Sequence, residues 1–221
     1  MSEKALYKYL SGFISPERKA LFEKVSAQRT DHICVALEDI YQSQNASAVL
    51  RTADLTGVQK VNVIEMRNEY TLNPDVVLGS NKWLDINYFD SSKGCIEKLK
   101  AEGYTIVATS PHSDSFSPFD IPIDRPLALC FGTEKDGLTD QIMDKADMHL
   151  KIPMYGFTES YNISVSAAIC LQIITERLRV SEIEWKLSET RRQDLLLKWV
   201  KLTLKKWEEH QETFLKTHKS L

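Results

Sequence analysis

Six apolar, β-rich runs alternate with helical stretches along the middle of the chain, and this alternation constrains the fold more than any other feature of the sequence. The predicted strands are residues 32–38, 60–66, 86–89, 104–109, 127–131 and 148–152. The predicted helices that alternate with them are 45–56, 74–80, 92–102, 137–145 and 162–179. Several of the strand runs are almost continuously apolar, as expected for strands covered on both faces. The pattern predicts an α/β fold with a largely parallel sheet.

Both ends of the chain are predicted to be helical. Residues 3–11 and the segment that begins with the capping sequence Ser15-Pro16 favour short helices. After residue 181, Trp and Leu recur at near-helical spacing without Gly or Pro, which predicts one basic amphipathic helix or two with a break near Ser188. The predicted organisation is an N-terminal helical extension, 1–30, a central domain, 31–180, and a C-terminal helical extension, 181–221.

Charge is distributed unevenly along the 221 residues, whose formal net charge is −3. Residues 1–30 carry +3, residues 31–180 carry −8 and residues 181–221 carry +2, with +5 concentrated in 186–206. Positively charged terminal segments on a negatively charged central domain suit binding of a phosphate-rich partner. The charge distribution by itself is explained more simply by helix faces exposed to solvent. The residues predicted to contact such a partner are Arg191, Arg192, Lys198, Lys201, Lys205 and Lys206.

Composition and missing motifs narrow the possible classes of function. The chain is 43% hydrophobic and 27% charged, and neither a membrane helix nor a secretory signal is apparent, so we expect a soluble, cytoplasmic protein. The glycines form no GxG, GxxxxGK or GxSxG pattern, which excludes the common dinucleotide, P-loop and nucleophile-elbow motifs. The histidines do not cluster, and the four cysteines lack CxxC spacing. We therefore expect no metal site and buried, reduced thiols.

A segment after the first predicted strand contains two polar residues that are candidates for a functional site. Asn45 falls near the start of a helix that ends at Gly57, and Arg51 stands six residues further on in an otherwise small and apolar stretch. An arginine in such a setting must reach a carboxylate, a phosphate or solvent. Considered alone, Arg51 is explained best by a structural ion pair.

Two later segments also contain polar residues that are candidates for a functional site. A buried strand runs at 129–131 into a tight loop that carries Glu134, followed by a helix capped by Thr139 or Asp136. Ligands of open α/β sheets favour such strand ends, although a plain turn explains the loop equally well. Further along, Ser160 and Asn162 precede a helix rich in Ser and Ala, which can lie close to other backbone.

Together and in this order, the patterns N-x5-R, FGxExxGL and IPM-x-G-x3-S-x-N-x-S-V-S-A-A resemble the SpoU/TrmH branch of the SPOUT RNA 2'-O-methyltransferases. The resemblance spans about residues 30–179, and LGSNKW at 78–83 is similar to the members that modify a tRNA guanosine. It implies a SPOUT-type sheet with a C-terminal trefoil knot and a homodimer; the lack of a long apolar run separately predicts no contact with membranes. The knot loops, around 109, 130–137 and 152–162, would bind S-adenosylmethionine without a metal and release S-adenosylhomocysteine.

The resemblance also assigns residues. Arg51 matches the family's catalytic arginine, either as a clamp on phosphate and developing alkoxide or as the base. The implied catalytic set is Arg51, Asn45, Glu134, Ser160 and Asn162. The implied cofactor-binding set is Thr109, Gly132, Ile152, Met154 and Tyr161. Gln44 and Tyr161 depart from the His and Leu that are common in the branch.

The function implied by the resemblance is ribose 2'-O-methylation of tRNA at a D-loop guanosine, position 18. Methylation of rRNA or of another tRNA site is an alternative, and the short segment before the central domain disfavours the ribosomal one. A knotted RNA-binding or assembly factor without catalysis is a second alternative, which the presence of all of Asn45, Arg51, Glu134 and Asn162 disfavours. A cofactor-binding regulator that does not bind RNA is a third, which the basic ends disfavour.

Overall fold

The structure, a computed structural model, describes residues 3–67, 70–111 and 116–218. The chain divides into two compact units, a central unit of Thr30–Trp185 and a terminal unit of Met1–Arg29 with Lys186–Leu221. Most of the two helical extensions predicted from the sequence thus falls in one unit, whereas Thr30 and residues 181–185 belong to the central unit. Residues 1–2 and 219–221 of those extensions lie outside the described residues.

The central unit is built on a parallel sheet, and the predicted α/β class is confirmed. In the described ranges the sheet has six strands in the order β3-β2-β1-β5-β4-β6, and every neighbouring pair is parallel. The strands are β1 Thr30–Glu38, β2 Val58–Ile64, β3 Asp85–Phe89, β4 Thr105–Thr109, β5 Leu127–Phe131 and β6 Met148–Leu150. Because all strands run in one direction, their carboxyl ends and the loops that follow them lie along the same edge of the sheet.

The helices of the central unit are α3 Ser43–Thr56, α4 Pro74–Val77, α5 Ser92–Ala101, α6 Asp140–Met143 and α7 Ile163–Arg179. Two of them are shorter than predicted. The helix expected at 74–80 ends at Val77, because Leu78 and Gly79 both adopt left-handed backbone conformations, with φ of 48° and 77°. The helix expected at 137–145 begins only at Asp140, because Gly137 belongs to a closed loop and has φ of 70°.

Residues of β1 alternate between the two faces of the sheet. Ile33, Val35 and Leu37 belong to the larger apolar cluster, which includes buried residues of α3 and α7. Cys34 and Ala36 belong to a second cluster, which includes buried residues of α5 and α6. Both faces are therefore covered, as the continuous apolar runs predicted.

The cysteines have the predicted state. All four are free and buried, and burial raises the pKa of the Cys95 thiol to about 12. Among the described residues, no group of three or more His, Cys, Asp or Glu side chains is placed to hold a metal ion. In those same residues, no helix is long and apolar enough to cross a membrane.

The terminal unit contains the helices α1 Glu3–Leu10, α2 Pro16–Ser26, α8 Glu189–Thr203 and α9 Trp207–His218. Trp199 of α8 is buried, with its ring centroid 5.6 Å from that of Phe22 on α2. The predicted break near Ser188 is wrong: Ser188 caps the start of α8 by accepting a hydrogen bond from the Arg191 amide at 3.2 Å. The helical segment breaks instead after Thr203, where the backbone becomes extended at Leu204 and left-handed at Lys206.

Candidate active site

Asn45 connects the three polar segments that the sequence singled out. Its side-chain amide donates a hydrogen bond to Glu134 Oε1, although the two residues are 89 positions apart in the chain. Its side-chain carbonyl Oδ1 accepts a hydrogen bond from Asn162 Nδ2 at 3.2 Å, across 117 positions. The side chains of Glu134, Asn45 and Asn162 therefore form one hydrogen-bonded network at the carboxyl edge of the sheet.

The local structure explains why these side chains are ordered. Asn45 is buried in the first turn of α3, shortly after the end of β1, and its amide also donates to Gln42 Oε1 at 3.1 Å. Asn162 caps α7, because its Oδ1 accepts hydrogen bonds from the Ser164 amide at 2.9 Å and the Ser164 hydroxyl at 2.6 Å. Gln42 was not predicted from the sequence, in which its only signal is its position immediately before α3.

Arg51 lies on α3 nearly two turns after Asn45, with its side chain exposed. It forms no ion pair or hydrogen bond with any residue that the structure describes, so the structural ion pair favoured by its sequence context alone is not found there. An exposed guanidinium is available to contact an anionic ligand.

The loop after β5 closes tightly on itself. Thr133 and Gly137 exchange two backbone hydrogen bonds, of 2.9 and 3.1 Å. A Cβ atom added at Gly132 would lie 2.1 Å from the carbonyl carbon and oxygen of Gly137. Position 132 therefore accommodates only glycine, and the loop that carries Glu134 has a closely defined backbone.

The far end of the same loop is held by Glu38, a residue that the sequence did not single out. Glu38 is 1% exposed at the end of β1, and it accepts hydrogen bonds from the Thr139 amide at 2.8 Å and the Thr139 hydroxyl at 2.6 Å. The Ser92 hydroxyl is a third donor to it. Thr139 does stand at the cap position of α6, but its hydroxyl bonds to Glu38 and does not cap the helix.

A cavity of about 520 Å³ opens beside the network. All five residues expected to bind a cofactor line it, namely Thr109, Gly132, Ile152, Met154 and Tyr161. Two of the expected catalytic residues, Glu134 and Ser160, line it as well. Asn45, Arg51 and Asn162 do not line it. Asn45 is hydrogen-bonded to Glu134, which lines the cavity, and Asn162 directly precedes Ile163, which also lines it.

The lining suits a ligand with apolar surface and positive charge. Phe131, Leu138 and Ile152 form apolar wall. The carboxylates of Glu134, Asp136 and Glu159 outweigh the positive charge of Lys135, which also lines the cavity. The Thr109 hydroxyl donates to the Cys130 carbonyl at 2.7 Å and is thus occupied within the protein.

The lining also includes Cys170. Burial raises the pKa of its thiol to about 12, so this cysteine is not a nucleophile at neutral pH.

The six basic residues expected to contact a phosphate-rich partner lie on α8 and just after it, in differing environments. Arg192 donates to Glu23 Oε2 at 2.5 Å and to the Ser26 hydroxyl at 3.0 Å, which fixes α8 to α2. Lys201 lies over the Trp207 ring at 4.2 Å, and Lys206 pairs with Glu209 at 3.0 Å. Arg191 and Lys198 are half-buried, whereas Lys205 is exposed.

Comparison with known proteins places the chain in a family. The model of the SpoU rRNA Methylase family matches residues 32–172, and the chain belongs to this family. The tRNA (guanosine(18)-2'-O)-methyltransferase of Borreliella burgdorferi is 46% identical over 199 residues, covering 90% of this chain and 91% of the relative. The Escherichia coli K12 protein of the same name is 30% identical over 158 residues, covering 72% and 69%. The family predicted from the three motifs is confirmed.

Solved structures agree with this assignment. The TrmH/SpoU tRNA modifying enzyme of A. aeolicus superposes with a TM-score of 0.77 at 28% identity, covering 86% of this chain and 98% of that one. An AdoMet-bound rRNA methyltransferase from Sinorhizobium meliloti superposes with a TM-score of 0.60 at 25% identity, covering 70% and 59%.

Proposed function

We propose that this protein is a tRNA methyltransferase that transfers a methyl group from S-adenosylmethionine to the ribose 2'-hydroxyl of guanosine 18 in the D-loop. The observation that carries the proposal is the Glu134–Asn45–Asn162 network, which brings the three family motifs together beside one cavity. The 46% identity to a relative named for this reaction, over 90% of the chain, supports the choice of substrate.

The cavity fits S-adenosylmethionine. Its volume, about 520 Å³, lies within the range of small-molecule sites, roughly 300–1,000 Å³. The apolar wall of the cavity suits an adenine ring. The carboxylates of Glu134, Asp136 and Glu159 complement a positive charge. Thr109, Gly132, Ile152, Met154 and Tyr161 would hold the cofactor.

When bound, the cofactor supplies a methyl group on a sulfonium, which leaves as the neutral thioether of S-adenosylhomocysteine. The protein must place the ribose hydroxyl in line with that methyl group and stabilise the oxygen as it loses its proton. No metal ion is part of the proposal, because the sulfonium already carries positive charge and leaves readily.

Arg51 is the residue proposed to act on the ribose. Its guanidinium is exposed and has no partner among the described residues, so it can bind the adjacent phosphate and the developing alkoxide. Arginine stays protonated with a pKa above roughly 12, so we assign it first as a stabiliser of charge. Asn45 and Asn162 orient the ribose, Glu134 orders Asn45 through its carboxylate, and Ser160 completes the pocket.

The knot, the homodimer and the cellular location belong to the same proposal. The three segments expected to form the knot, around 109, 130–137 and 152–162, all contribute residues to the cavity, as a knotted cofactor site requires. Exposed apolar side chains on α3 and α7, Leu55 and Val165, would be covered by a second copy. A tRNA substrate is compatible with the cytoplasm.

The basic residues of the terminal unit are proposed to contact the RNA backbone. Lys205, which is exposed, is the first candidate. Arg191, Lys198, Lys201 and Lys206 would add positive charge. Arg192 would contribute indirectly, because its ion pair with Glu23 positions α8.

Methylation of rRNA is the second candidate, favoured by the structural similarity to the Sinorhizobium meliloti rRNA methyltransferase. The two are separated by incubating the purified protein with labelled S-adenosylmethionine and unmodified tRNA or rRNA transcripts, then mapping the methylated ribose. We expect label on guanosine 18 of tRNA. Label only on rRNA would replace the proposed substrate, and no label on either RNA would overturn the proposed function.

The variant Arg51→Ala tests the proposed catalytic residue. We expect turnover to fall by at least about 100-fold, as for loss of a group that stabilises transition-state charge, with cofactor affinity unchanged by calorimetry. Arg125→Ala is the matched control, because Arg125 is also exposed and precedes β5, at the opposite edge of the sheet. Loss of cofactor binding in Arg51→Ala would make Arg51 structural.

A further inference from the structure

Tyr155 and Phe157 are fully exposed aromatic side chains on the loop between β6 and α7. Burying an aromatic side chain is favourable, so two fully exposed rings only two residues apart in the chain indicate an interaction site. A Cβ atom at Gly156, between them, would meet nothing within 4 Å, so the space beside this part of the loop is open.

The position of the loop relates these rings to the cavity. Met154, immediately before them, lines the cavity, and Glu159, Ser160 and Tyr161, shortly after them, line it too. Tyr155 and Phe157 are not part of the lining. The loop therefore leaves the wall of the cavity at Met154 and rejoins it at Glu159, which places the two rings at the cavity's rim.

The rim of this cavity is the place that the substrate must reach. Under the proposed function, the target ribose has to enter beside Ser160 and the Asn45 network, so the neighbouring nucleotides pass the rim. In a folded tRNA loop the bases are partly stacked on one another, and drawing one ribose into a pocket disturbs that stacking. Exposed aromatic rings replace lost base stacking, because every base has a π-face.

A nucleobase suits this surface better than a second copy of the chain does. Two aromatic side chains offer about 300–500 Å² together, whereas each partner in a stable protein interface contributes about 800 Å². The residues that follow, Thr158, Glu159 and Ser160, are exposed and polar, and they separate the two rings from the next exposed aromatic, Tyr161, which lines the cavity. Small isolated aromatic surfaces in polar surroundings are typical of base stacking.

We infer that Tyr155 and Phe157 form a stacking platform for a nucleobase of the RNA segment next to the target ribose, an inference that rests on the proposed function. The platform would hold the displaced base while Arg51 and Asn45 act on the ribose. It would thereby contribute to binding of RNA and not to binding of the cofactor.

The first experiment measures methyl transfer to tRNA by Tyr155→Ala, Phe157→Ala and the double variant. For each ring removed we expect kcat/KM for tRNA to fall about ten-fold, with cofactor affinity within two-fold of the wild type. Tyr155→Phe and Phe157→Tyr keep a ring and should retain most activity. Phe119→Ala is the matched control, because Phe119 is exposed but its neighbour Pro118 contacts Arg177, about two helical turns of α7 beyond Cys170, the nearest α7 residue of the cavity lining.

The second experiment detects stacking directly. In Phe157→Trp, binding of tRNA should quench the fluorescence of the new indole, measured against the parent protein with its four tryptophans. Light scattering of every variant reports its oligomeric state. A double variant as active as the wild type, or a Trp that is not quenched, would refute the platform.

The outcomes also separate the inference from the proposed function. Variants that lose activity by dissociating into single chains would show that a second copy covers the rings, which would overturn the inference. A wild-type protein that methylates tRNA while the double variant is unaffected would refute only the platform. A wild type that methylates no tRNA would refute the proposed function, and the platform with it.

Discussion

Two loops line the same cavity but are held in opposite ways. The loop from Gly132 to Thr139 is fixed along its length, by Asn45 acting on Glu134 and by Glu38 acting on Thr139. The loop from Met154 to Tyr161 is exposed from Tyr155 onward and becomes ordered by side-chain hydrogen bonds at Asn162, where α7 begins.

The difference shows how one site can be rigid and accessible together. In the fixed loop Asn45 holds Glu134 by a hydrogen bond, so the polar network is formed without a ligand. The exposed loop keeps the aromatic side chains of Tyr155 and Phe157 accessible to a partner, and until a partner binds their surface stays in contact with water. Four substitutions test this difference between the loops, and they follow in order of decreasing expected effect on stability.

The largest effect is expected from Gly132→Ala. The new methyl group would lie 2.1 Å from the Gly137 carbonyl, a backbone atom that cannot move without opening the loop. We expect a loss of stability of about 3 kcal/mol or more, as for severe overpacking, together with loss of cofactor binding. Thermal unfolding and calorimetry measure both, and a variant with wild-type stability would contradict the close approach.

Glu38→Ala should cause the second largest loss of stability. Removing the buried carboxylate leaves three hydrogen-bond donors without an acceptor, at a cost of about 2–3 kcal/mol in the free energy of unfolding. Urea denaturation measures the loss, and the Michaelis constant for the cofactor should rise because the loop is released at Thr139. Glu38→Gln should recover part of both.

The control for Glu38 is Glu97→Ala, which removes an exposed carboxylate paired with Lys93 at 3.8 Å. Its effect should stay below about 0.5 kcal/mol. Equal effects at the two positions would show that Glu38 does not hold the loop.

Asn162→Ala removes both a helix cap and a member of the polar network. We expect a loss of about 1 kcal/mol in stability and, in addition, a fall in kcat for methyl transfer. Ser91→Ala separates the two roles, because Ser91 caps α5 by accepting from the Gly94 amide at 3.3 Å and is outside the network. If both variants transferred methyl groups equally well, Asn162 would be a cap only.

The smallest effect is expected from Gly156→Ala, the counterpart of Gly132→Ala on the exposed loop. A Cβ atom there meets nothing within 4 Å, so the free energy of unfolding should change by less than about 0.5 kcal/mol. Thermal unfolding of the two alanine variants side by side tests the contrast, which would fail if they lost similar stability.

Much of the fold follows from local sequence. The strand predicted at 127–131 is β5 Leu127–Phe131, because a short apolar run bounded by Pro126 and Gly132 has few alternatives. The predicted helix at 162–179 is α7 Ile163–Arg179 for a similar reason, with Asn162 as a clear capping signal. The short helices α4 and α6 were predicted too long, because left-handed backbone at Leu78 and Gly137 is not visible in apolar periodicity.

The sequence by itself therefore determined the class of fold, the family and the residue types of the site, through local periodicity and three ordered motifs. The tertiary structure alone decided which of those residues touch. The Glu38–Thr139 contact spans 101 positions, and nothing in the local sequence of either segment predicts it. Hydrogen bonds between distant segments depend on strand order and loop geometry, and these are settled only when the whole sheet is assembled.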